Sequence, residues 1–530
     1  METTDTEVLI VGAGPSGLMM ACQLAFHGIR FRIIDKKEGP TTNSGALIIQ
    51  ARSVEIFNRM GIAQKAIREG IIANNINILF NGKPLIKIPV RNIGEGLSPF
   101  PFLLMLKQSK TEQFLSEYLN EYGVFIERGF EFIGFSQDTL GVQSHIKNPD
   151  GEVTSLKSLY LIAADGGQST IRQQLNIPFI GRAHHKSLFI TDCKAETDLP
   201  EEDISISFSG KTISGFFPLG NGKWRIDGTI QKELNSNTSL SFKDIADHFS
   251  DKILMDIQLQ NPDWFSVFHS RHHYASTYQI NRCFLIGDAA HVHSPVGAQG
   301  MNTGLQDAFN LGWKLAFVLK GKATTGLTDT YTAERLPVAK NIINVTDKIF
   351  NLLTDDGFPT KSFRVYLLPI IIKSLFPFIV SRNWIRRYLF KSISEIDISY
   401  RDSILSLQPS IRLFPSKSLR PGDRLPFILY GETGQEVNIQ ETVKGTGYQL
   451  FIFATKPVTK ELIKCIEKYS NTLSFEIIST SPENRNLQDQ LGLRKGFLLV
   501  RPDLYIAFRS AKLNTRQLEN YLNIFLKPDE

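Results

Sequence analysis

The glycine-rich hexapeptide Gly12-Ala13-Gly14-Pro15-Ser16-Gly17 constrains the fold of this chain more than any other sequence feature. It follows the apolar run EVLIV at 7–11 and precedes an apolar stretch typical of a helix, after which a second strand, FRIID, occupies 31–35. Glycines at these positions permit a tight turn and let backbone N–H groups approach a pyrophosphate closely. Asp35, at the end of the second strand, can accept hydrogen bonds from ribose hydroxyls. The sequence therefore predicts a Rossmann-type, dinucleotide-binding unit at this end of the chain.

Composition places the chain among multidomain globular proteins. Its 530 residues exceed the roughly 100 to 200 residues of a typical domain. Hydrophobic residues make up 42% and charged residues 21%, which excludes a disordered or collagen-like protein. Lys and Arg outnumber Asp and Glu by 59 to 53, and the resulting net charge of +6 is too dilute over this length to indicate nucleic-acid binding.

The four cysteines, Cys22, Cys193, Cys283 and Cys465, lie far apart in the sequence. Because they form no CxxC pair, neither a zinc site nor a redox-active dithiol is encoded locally, and we expect no metal. The N-terminal METTDTE is acidic and lacks the basic region of a secretory signal. A reducing, cytoplasmic location is therefore expected.

One strongly apolar segment spans 366–380 (YLLPIIIKSLFPFIV). Pro369, Lys373 and Pro377 interrupt it, and it falls short of the roughly 20 residues that a membrane-spanning helix needs. We predict a buried or cleft-lining helix pair, with contact to a membrane surface as the less favoured alternative and no transmembrane segment.

Two later segments bear on which dinucleotide is bound, a question that the first motif leaves open. LIAADGGQSTIR at 161–172 places Asp165 directly after an apolar strand, and FLIGDAAHVHSPVGAQGMNTGLQDA at 284–308 places Asp288 after another. Asp288 can bond a ribityl or ribose hydroxyl. The loop that follows leads to a helix N-terminus, whose free N–H groups and dipole would stabilise negative charge on a reduced flavin. These features favour FAD.

Taken together in this order, the three segments resemble the fingerprints of the class A flavoprotein monooxygenases, which are FAD-dependent aromatic hydroxylases. The resemblance covers nearly the whole chain. RPGDRLPF at 420–427 and LVRPDLYIAFRS at 499–510 resemble the thioredoxin-like extension of the phenol and polyketide hydroxylase branch. The resemblance implies an enzyme that hydroxylates a phenolic or polycyclic aromatic substrate with FAD, O₂, and NADPH or NADH as a transient co-substrate.

The expected fold class is α/β, with a Rossmann-type FAD-binding domain interleaved with a mainly antiparallel β substrate domain and followed by a thioredoxin-like domain. Short strands separated by turn residues between 181 and 274 indicate the antiparallel sheet. The predicted boundaries are 1–75, 100–180 and 275–400 for the FAD-binding domain, 76–99 and 181–274 for the substrate domain, and 401–530 for the C-terminal domain.

The resemblance also assigns cofactor contacts. Asp165 would lie near both FAD and the path of the nicotinamide. Many relatives have an arginine where this chain has Gly45, and Lys36, Lys37 and Arg52 are candidates to replace it at the pyrophosphate. The remaining predicted cofactor-binding residues are Gly12, Gly14, Ser16, Gly17, Asp35, Gln108, Asp288, Gly300, Met301 and Asn302.

The chemistry sets requirements for a substrate pocket. A reduced flavin reacts with O₂ to give a C4a-hydroperoxide, whose terminal oxygen can transfer to an electron-rich ring when water is excluded. The pocket needs apolar walls and one polar group that favours the phenolate. The residues alone do not identify the acid or base. Pro295 and His291 are candidates at the flavin edge, with a packing role favoured for His291. The candidates for the pocket wall are Phe216, Phe217, Trp224 and Pro295.

Two alternative functions stay open at this point. A monooxygenase acting on a membrane-associated quinone precursor would use the apolar segment 366–380 to face the membrane. A flavin-binding protein without turnover would be consistent with Gly45. The sequence does not determine the oligomeric state, and a homodimer is compatible with it.

Overall fold

The computed structural model describes residues 4–42, 45–209, 212–230, 240–293, 298–354, 368–374, 382–409, 419–431, 435–455, 457–479 and 481–529. Its strands are β1 (Thr6–Val11), β2 (Phe31–Asp35), β3 (Ile48–Ile49), β4 (Ile71–Ile72), β5 (Asn75–Phe80), β6 (Lys83–Pro89), β7 (Leu104–Met105), β8 (Glu127–Arg128), β9 (Glu131–Gln137), β10 (Val142–Lys147), β11 (Val153–Ala163), β12 (Phe179–Thr197), β13 (Ile204–Ser209), β14 (Thr212–Gly220), β15 (Lys223–Thr229), β16 (Ile257–Ala275), β17 (Gln279–Ile280), β18 (Cys283–Leu285), β19 (His291–Val292), β20 (Leu429–Tyr430), β21 (Val437–Asn438), β22 (Tyr448–Phe453), β23 (Leu473–Ile478), β24 (Gly496–Val500) and β25 (Ile506–Ser510).

The α-helices are α1 (Pro15–Phe26), α2 (Ala51–Arg59), α3 (Ala63–Glu69), α4 (Gln108–Glu121), α5 (Thr170–Gln174), α6 (Phe242–Ala246), α7 (Phe249–Ile253), α8 (Gly300–Leu319), α9 (Gly326–Thr354), α10 (Leu368–Ser374), α11 (Asn383–Ile393), α12 (Ile439–Thr442), α13 (Lys460–Glu467), α14 (Arg485–Leu491) and α15 (Thr515–Leu522).

The first sheet carries the nucleotide-binding elements and has the strand order β17-β18-β11-β1-β2-β8, with β10 and β9 continuing from β11. Its central strands run parallel, with Val8 paired to Tyr160 on β11 and to Phe31 on β2. Strands covered on both faces are expected to be apolar along their length, and residues 8–11 and 160–163 are all buried. Helices α1, α4 and α8 pack around this sheet. The predicted Rossmann-type α/β architecture is confirmed.

The second sheet has the order β19-β16-β12-β15-β14-β13-β5-β6 and is antiparallel except where β13 pairs with β5. Its central strand β15 lies between β12 and β14. Because β5 and β6 belong to this sheet while β3, β4 and β7 do not, the chain leaves the nucleotide-binding unit and returns to it. This interleaving of a parallel and a mainly antiparallel sheet confirms the predicted fold class, while the domain boundaries stay a prediction.

The C-terminal part contains a four-stranded sheet of order β23-β22-β24-β25, flanked by α13, α14 and α15. The side chain of Asn514 accepts a hydrogen bond from the backbone N–H of Gln517 at the start of α15. Trp313 and Phe317 of α8 pack against Tyr448 and Leu450 of β22. The C-terminal sheet is therefore fixed to the helix that leaves the predicted flavin loop, and its assignment as thioredoxin-like stays a prediction.

Of the apolar segment 366–380, the structure describes only 368–374, which lie in α10. The rest of the predicted helix pair lies outside the described residues. Within the described ranges, no helix combines the length and the apolar character needed to cross a bilayer.

Candidate functional site

The three glycine-containing segments meet at the carboxyl ends of β1 and β11. Gly12 has a φ of +103°, and a Cβ added to it would overlap the carbonyl oxygen of Ala164. A Cβ on Gly17 would in turn overlap the carbonyl oxygen of Gly12. Only residues without a side chain allow this close packing, which holds the first turn of α1 against the loop that carries Asp165.

Ser16, in the first segment, contacts the third segment at the same end of the sheet. Its side chain is enclosed by the glycine backbones at 287 and 304, where an added Cβ would overlap the Ser16 hydroxyl. Arg172 bridges the second and third segments, since its guanidinium donates hydrogen bonds to the carbonyl oxygens of Gly167 (2.8 Å) and Ala289 (2.9 Å). Segments far apart in the sequence therefore form one site.

The start of α1 fits a pyrophosphate. Gly14 is the N-cap residue, and no side chain caps the helix. A Cβ at Gly14 would have no heavy atom within 4 Å, so the space in front of the helix N-terminus is open. The uncapped N–H groups and the positive end of the helix dipole are the features with which proteins bind phosphate groups. The residues present therefore fit the FAD pyrophosphate predicted from the sequence.

Asp35 organises the loop beside this helix. One carboxylate oxygen accepts a hydrogen bond from the backbone N–H of Ala13 at 2.7 Å, and the other accepts one from the backbone N–H of Lys37 at 2.8 Å. Arg128 lies 3.6 Å from the same carboxylate. Asp35 thus holds the glycine loop in place, and its predicted contact with the ribose stays a prediction.

Arg52 does not replace the missing arginine at position 45. Its side chain is 1% exposed, and its guanidinium donates hydrogen bonds to Glu55 (3.1 Å) and to the carbonyl oxygen of Asp503 (2.8 Å). Burial and these partners commit it to the contact with the C-terminal part, so the sequence-based assignment of Arg52 is wrong. Lys36 is exposed next to Asp35 and stays a candidate.

Gln108 begins α4 and is held by two hydrogen bonds. Its backbone N–H donates to the carbonyl oxygen of Ala46 at 3.2 Å, and its side-chain amide donates to Glu112 at 2.9 Å. Glu112 also accepts a hydrogen bond from the backbone N–H of Thr41 at 3.0 Å. Glu112 was not predicted from the sequence, although its position one helical turn after Gln108 is a signal that could have suggested the pairing.

The two carboxylates predicted at the cofactor have different surroundings. Asp165 accepts a hydrogen bond from the backbone N–H of Ile171 at 3.3 Å, while its buried Oδ1 has no hydrogen-bond partner among the described residues. Burial raises the pKa of Asp165. Asp288 is exposed between the buried Gly287 and Ala289. Both have a carboxylate oxygen available to a ligand, which fits their predicted role.

Asn302 fastens the N-terminal end of α8 to the segment before α2. Its side-chain oxygen accepts a hydrogen bond from the backbone N–H of Gln50, and its amide donates to the carbonyl oxygens of Ile48 and Ala298, each at 2.9 Å. These bonds use the side chain for positioning, so a contact with FAD, still a prediction, would come from the backbone. Met301 is half-buried beside it, and Gly300 is the first residue of α8. No side chain caps this helix, which leaves its N–H groups available for negative charge.

His291 belongs to a buried ionic network. Its Nε2 lies 2.7 Å from Oδ2 of Asp307, and Arg335 donates to the other oxygen of Asp307 at 2.7 Å. Burial would raise the pKa of Asp307, but Arg335 and His291 hold it below its usual range. Asp307 also accepts the backbone N–H of Gly287 at 3.1 Å. These contacts agree with the packing role favoured for His291, its catalytic role stays a prediction, and Pro295 lies outside the described residues.

Two of the predicted pocket residues lie on the wrong face of the second sheet. Phe216 and Trp224 are 0% and 1% exposed and pack with Phe249 of α7 in a hydrophobic cluster. Successive residues of a strand point to opposite faces, so Phe217 points away from that cluster. Phe217 is half-buried and packs against a second cluster that includes Leu47. Phe217 therefore stays a candidate for the pocket wall, whereas Phe216 and Trp224 are core residues.

The face that carries Phe217 also carries a buried ion pair. Arg225 donates to both oxygens of Asp192, at 2.7 and 3.0 Å, and to the carbonyl oxygen of Ala46 at 3.0 Å. Lys107 lies 3.3 Å from the same aspartate. This arrangement pairs Arg225 within the protein and joins the second sheet to the segment that Asn302 also holds.

Comparison with known proteins identifies the chain. The model of a family described as FAD binding domain matches residues 5–346. A 6-methylpretetramide 4-monooxygenase from Streptomyces rimosus is 35% identical over 346 residues, which are 65% of this chain and 62% of that protein. A rifampicin monooxygenase from Streptomyces venezuelae is 32% identical over 402 residues, covering 74% of this chain and 79% of the relative.

Solved structures of similar fold cover almost the full length of this chain. The anhydrotetracycline hydroxylase OxyS from Streptomyces rimosus has a TM-score of 0.78 at 26% identity, covering 99% of this chain and 100% of its own. CabE, an aromatic hydroxylase from angucycline biosynthesis, has a TM-score of 0.74 at 26% identity, with 96% of each chain covered. The resemblance to class A flavoprotein monooxygenases is confirmed: the chain belongs to the FAD-binding domain family and, within it, to the FAD-dependent aromatic monooxygenases.

Proposed function

We propose that this monooxygenase acts on a phenolic substrate with several fused rings, using O₂ and either NADPH or NADH. The single observation that carries the proposal is the convergence of the three fingerprint segments around Ser16, which brings the predicted FAD-binding segments to one place. The names of the compared proteins support the substrate class, since they include 6-methylpretetramide, anhydrotetracycline and angucycline. Pentachlorophenol 4-monooxygenase from Sphingobium chlorophenolicum, 28% identical over 474 residues, extends the range to single phenol rings.

Bound FAD would accept a hydride from the nicotinamide and activate O₂ for transfer to the substrate ring. The chain supplies binding and orientation. The N-terminus of α1 and the backbone around Gly12 would hold the pyrophosphate, and the free oxygens of Asp165 and Asp288 would accept hydrogen bonds from hydroxyl groups of the cofactor. The uncapped N-terminus of α8 would stabilise negative charge on the reduced ring.

The second sheet would provide the wall opposite the cofactor. Phe217 is half-buried on the face that Arg225 joins to Ala46. An apolar wall excludes water and positions a flat ring by contact area. The arrangement therefore suits a substrate that presents a large aromatic surface.

Neither alternative from the sequence receives support. The compared proteins are named as monooxygenases of aromatic compounds, which argues against a flavin-binding protein without turnover and gives no indication of a quinone precursor. The homodimer and the cytoplasmic location stay predictions.

The proposal is tested with the purified protein. We expect a yellow protein whose oxidation of NADPH or NADH is accelerated by polycyclic phenols and yields a product that has gained one oxygen atom, detected by mass spectrometry. The substrate class would be defined with a series of phenols and anthraquinones that differ in their number of rings. A non-aromatic alcohol would serve as the control. A flavin-containing protein that oxidises the nicotinamide at the same rate with every compound, and oxygenates none, would refute the proposal.

A further inference from the structure

Asp227 is a carboxylate on the central strand of the second sheet that the functional assignment has not yet used. On β15 it pairs with Gly215 of β14 and with Ile190 of β12. It lies two residues after Arg225 and therefore points to the same face of the sheet. Trp224 and Ile226 point to the opposite face and are buried in the cluster with α7.

The face that carries Asp227 looks toward the nucleotide-binding unit. Arg225 on this face donates to Ala46, and Phe217 packs against the cluster that contains Leu47. The next residue, Ile48, accepts a hydrogen bond from Asn302 at the start of α8. A single short segment thus separates this sheet face from the helix N-terminus at the predicted flavin site.

The carboxylate of Asp227 sits in an apolar wall. One oxygen accepts a hydrogen bond from the backbone N–H of Gly215 at 3.0 Å. A Cβ on Gly215 would overlap both this oxygen and the ring of Phe217, so the carboxylate and the ring lie side by side above the glycine. Asp227 and Phe217 are half-buried, as is Ile206 on the neighbouring strand β13. The other oxygen of Asp227 has no hydrogen bond to another described residue.

The charged groups that face Asp227 leave it without a salt bridge. Arg225, on the same strand, makes its two-bond contact with Asp192 of β12. On β14 and β13 the neighbouring positions are Gly215, Phe217 and Ile206, none of which carries a charge. Burial raises the pKa of Asp227 to about 6, although the hydrogen bond from Gly215 and the charge of Arg225 act in the opposite direction.

We propose that Asp227 binds the phenolic hydroxyl of the substrate and accepts its proton as the ring is hydroxylated. The inference rests on the proposed function. In this step the phenolic O–H bond breaks and a carboxyl O–H bond forms on Asp227. The electron pair stays on the substrate oxygen and increases the electron density at the ring carbon that receives oxygen. The carboxylate also disfavours substrates that carry a carboxylate of their own at this end, because like charges in an apolar site repel.

The test compares Asp227→Asn with wild-type protein on two probes, 1-naphthol and a nitro-substituted naphthol that is already ionised at the assay pH. Asn keeps the size of the side chain but cannot accept the proton. We expect the variant to lose about 100-fold in kcat/KM on 1-naphthol and to keep or gain activity on the ionised probe, because the negative charge of that probe repels the carboxylate of the wild type. Asp263→Asn is the matched control, because Asp263 lies exposed on β16 and pairs only with Lys223 among the described residues.

The pH profile is a second measurement that needs no variant. Since the ionised form of Asp227 is the active one and its pKa is raised to about 6, wild-type kcat/KM on 1-naphthol should fall as the pH drops through that value. The fall should be absent from Asp227→Asn. Flavin absorbance of each variant verifies that the cofactor is bound.

The outcomes separate the two levels of the proposal. A wild-type enzyme that hydroxylates naphthols, with an Asp227→Asn variant that matches it on both probes or loses both equally, would overturn the role of Asp227 and leave the proposed function intact. If Asp227→Asn does not bind FAD, the pH profile of the wild type decides. A wild-type kcat/KM that does not fall at acidic pH would then overturn the role of Asp227. A wild-type protein that hydroxylates no phenol would overturn the proposed function, and this inference with it.

Discussion

Glu334 is the most connected buried carboxylate in the contact between α9 and the C-terminal part, and its replacement is the sharpest test of that contact. Arg501 donates to both of its oxygens, at 2.6 and 2.8 Å. Lys314 and Asn310 of α8 each donate at 2.7 Å, as does Ser403. Arg501 follows β24, so this one carboxylate links α8, α9 and the C-terminal sheet.

The local charges show which state of Glu334 the fold needs. Burial would raise its pKa, but Arg501 and Lys314 hold the pKa well below its usual range. Burial is also the main reason why the pKa of Lys314 is lowered to about 8. Both cations depend on the negative charge at Glu334, with Asp503 as the second partner of Arg501.

We predict that Glu334→Gln destabilises the protein by about 3–5 kcal/mol, the cost of removing one partner from a buried charge pair. Glutamine preserves the shape but leaves Lys314 without a counter-charge and Arg501 with Asp503 alone. At about 2 °C per kcal/mol, the value for large domains, the unfolding midpoint should fall by roughly 6–10 °C. Thermal unfolding followed by circular dichroism measures this change.

The control is Glu519→Gln, which removes an exposed ion pair with Lys468 in the same C-terminal part. Exposed pairs contribute at most about 1 kcal/mol, so this variant should unfold close to wild type. A Glu334→Gln variant that unfolds with the control would refute the claim that the network holds the C-terminal sheet to α8.

The same variant has a defined pH dependence. Because the folded pKa of Glu334 is lowered, its contribution to stability is present above the unfolded carboxyl pKa and is lost as the pH falls toward the folded pKa. The difference in unfolding free energy between wild type and Glu334→Gln should therefore be largest near neutral pH and should shrink under acid. A difference that grows on acidification would contradict the assigned charge state.

Five further substitutions test the site and the fold around it. Gly17→Ala should yield a protein depleted of flavin absorbance, since its Cβ has no space, whereas Gly39→Ala, with no heavy atom within 4 Å, should keep the cofactor. Ala298→Gly should raise the unfolding free energy by up to about 1 kcal/mol, because Ala298 has a φ of +52°, and an unchanged or lower value would contradict the strain. Phe216→Ala should cost about 3–5 kcal/mol in stability, while Phe217→Ala should mainly raise KM for the aromatic substrate; the reverse pattern would show that the faces are assigned wrongly.

The local sequence was sufficient to predict those elements whose structure is determined by neighbouring residues. The apolar run at 7–11, the glycines after it and the strand at 31–35 predicted a parallel, dinucleotide-binding unit, because steric demands at Gly12 and Gly17 tolerate no side chain. The start of the last helix is also predictable from local sequence, since Asn514 is a typical N-cap residue.

Long-range partners determine the surroundings of the two candidate residues Arg52 and His291. Arg52 looked available for a phosphate, but its partner in the folded chain is the carbonyl oxygen of Asp503, which no local pattern reveals. His291 lies three residues after Asp288 in the sequence. In the folded chain its ring bonds to Asp307, which also binds Arg335 in the same buried network. In both cases the sequence indicated a chemically suitable residue type but did not indicate which residues surround it in the fold.

The residue pattern of strand β15 explains why Asp227 could not be singled out from the sequence. The alternation of Trp224 and Ile226 with Arg225 and Asp227 reads as a strand with one apolar face and one solvated face. The fold places β15 in the centre of a sheet with α7 behind it and the nucleotide-binding unit in front, so its polar face does not look to bulk solvent. Polar groups on such a face must be paired with the protein or must meet water or a ligand. Arg225 is paired with Asp192, and Asp227, with one oxygen unpaired beside Phe217, meets the second condition.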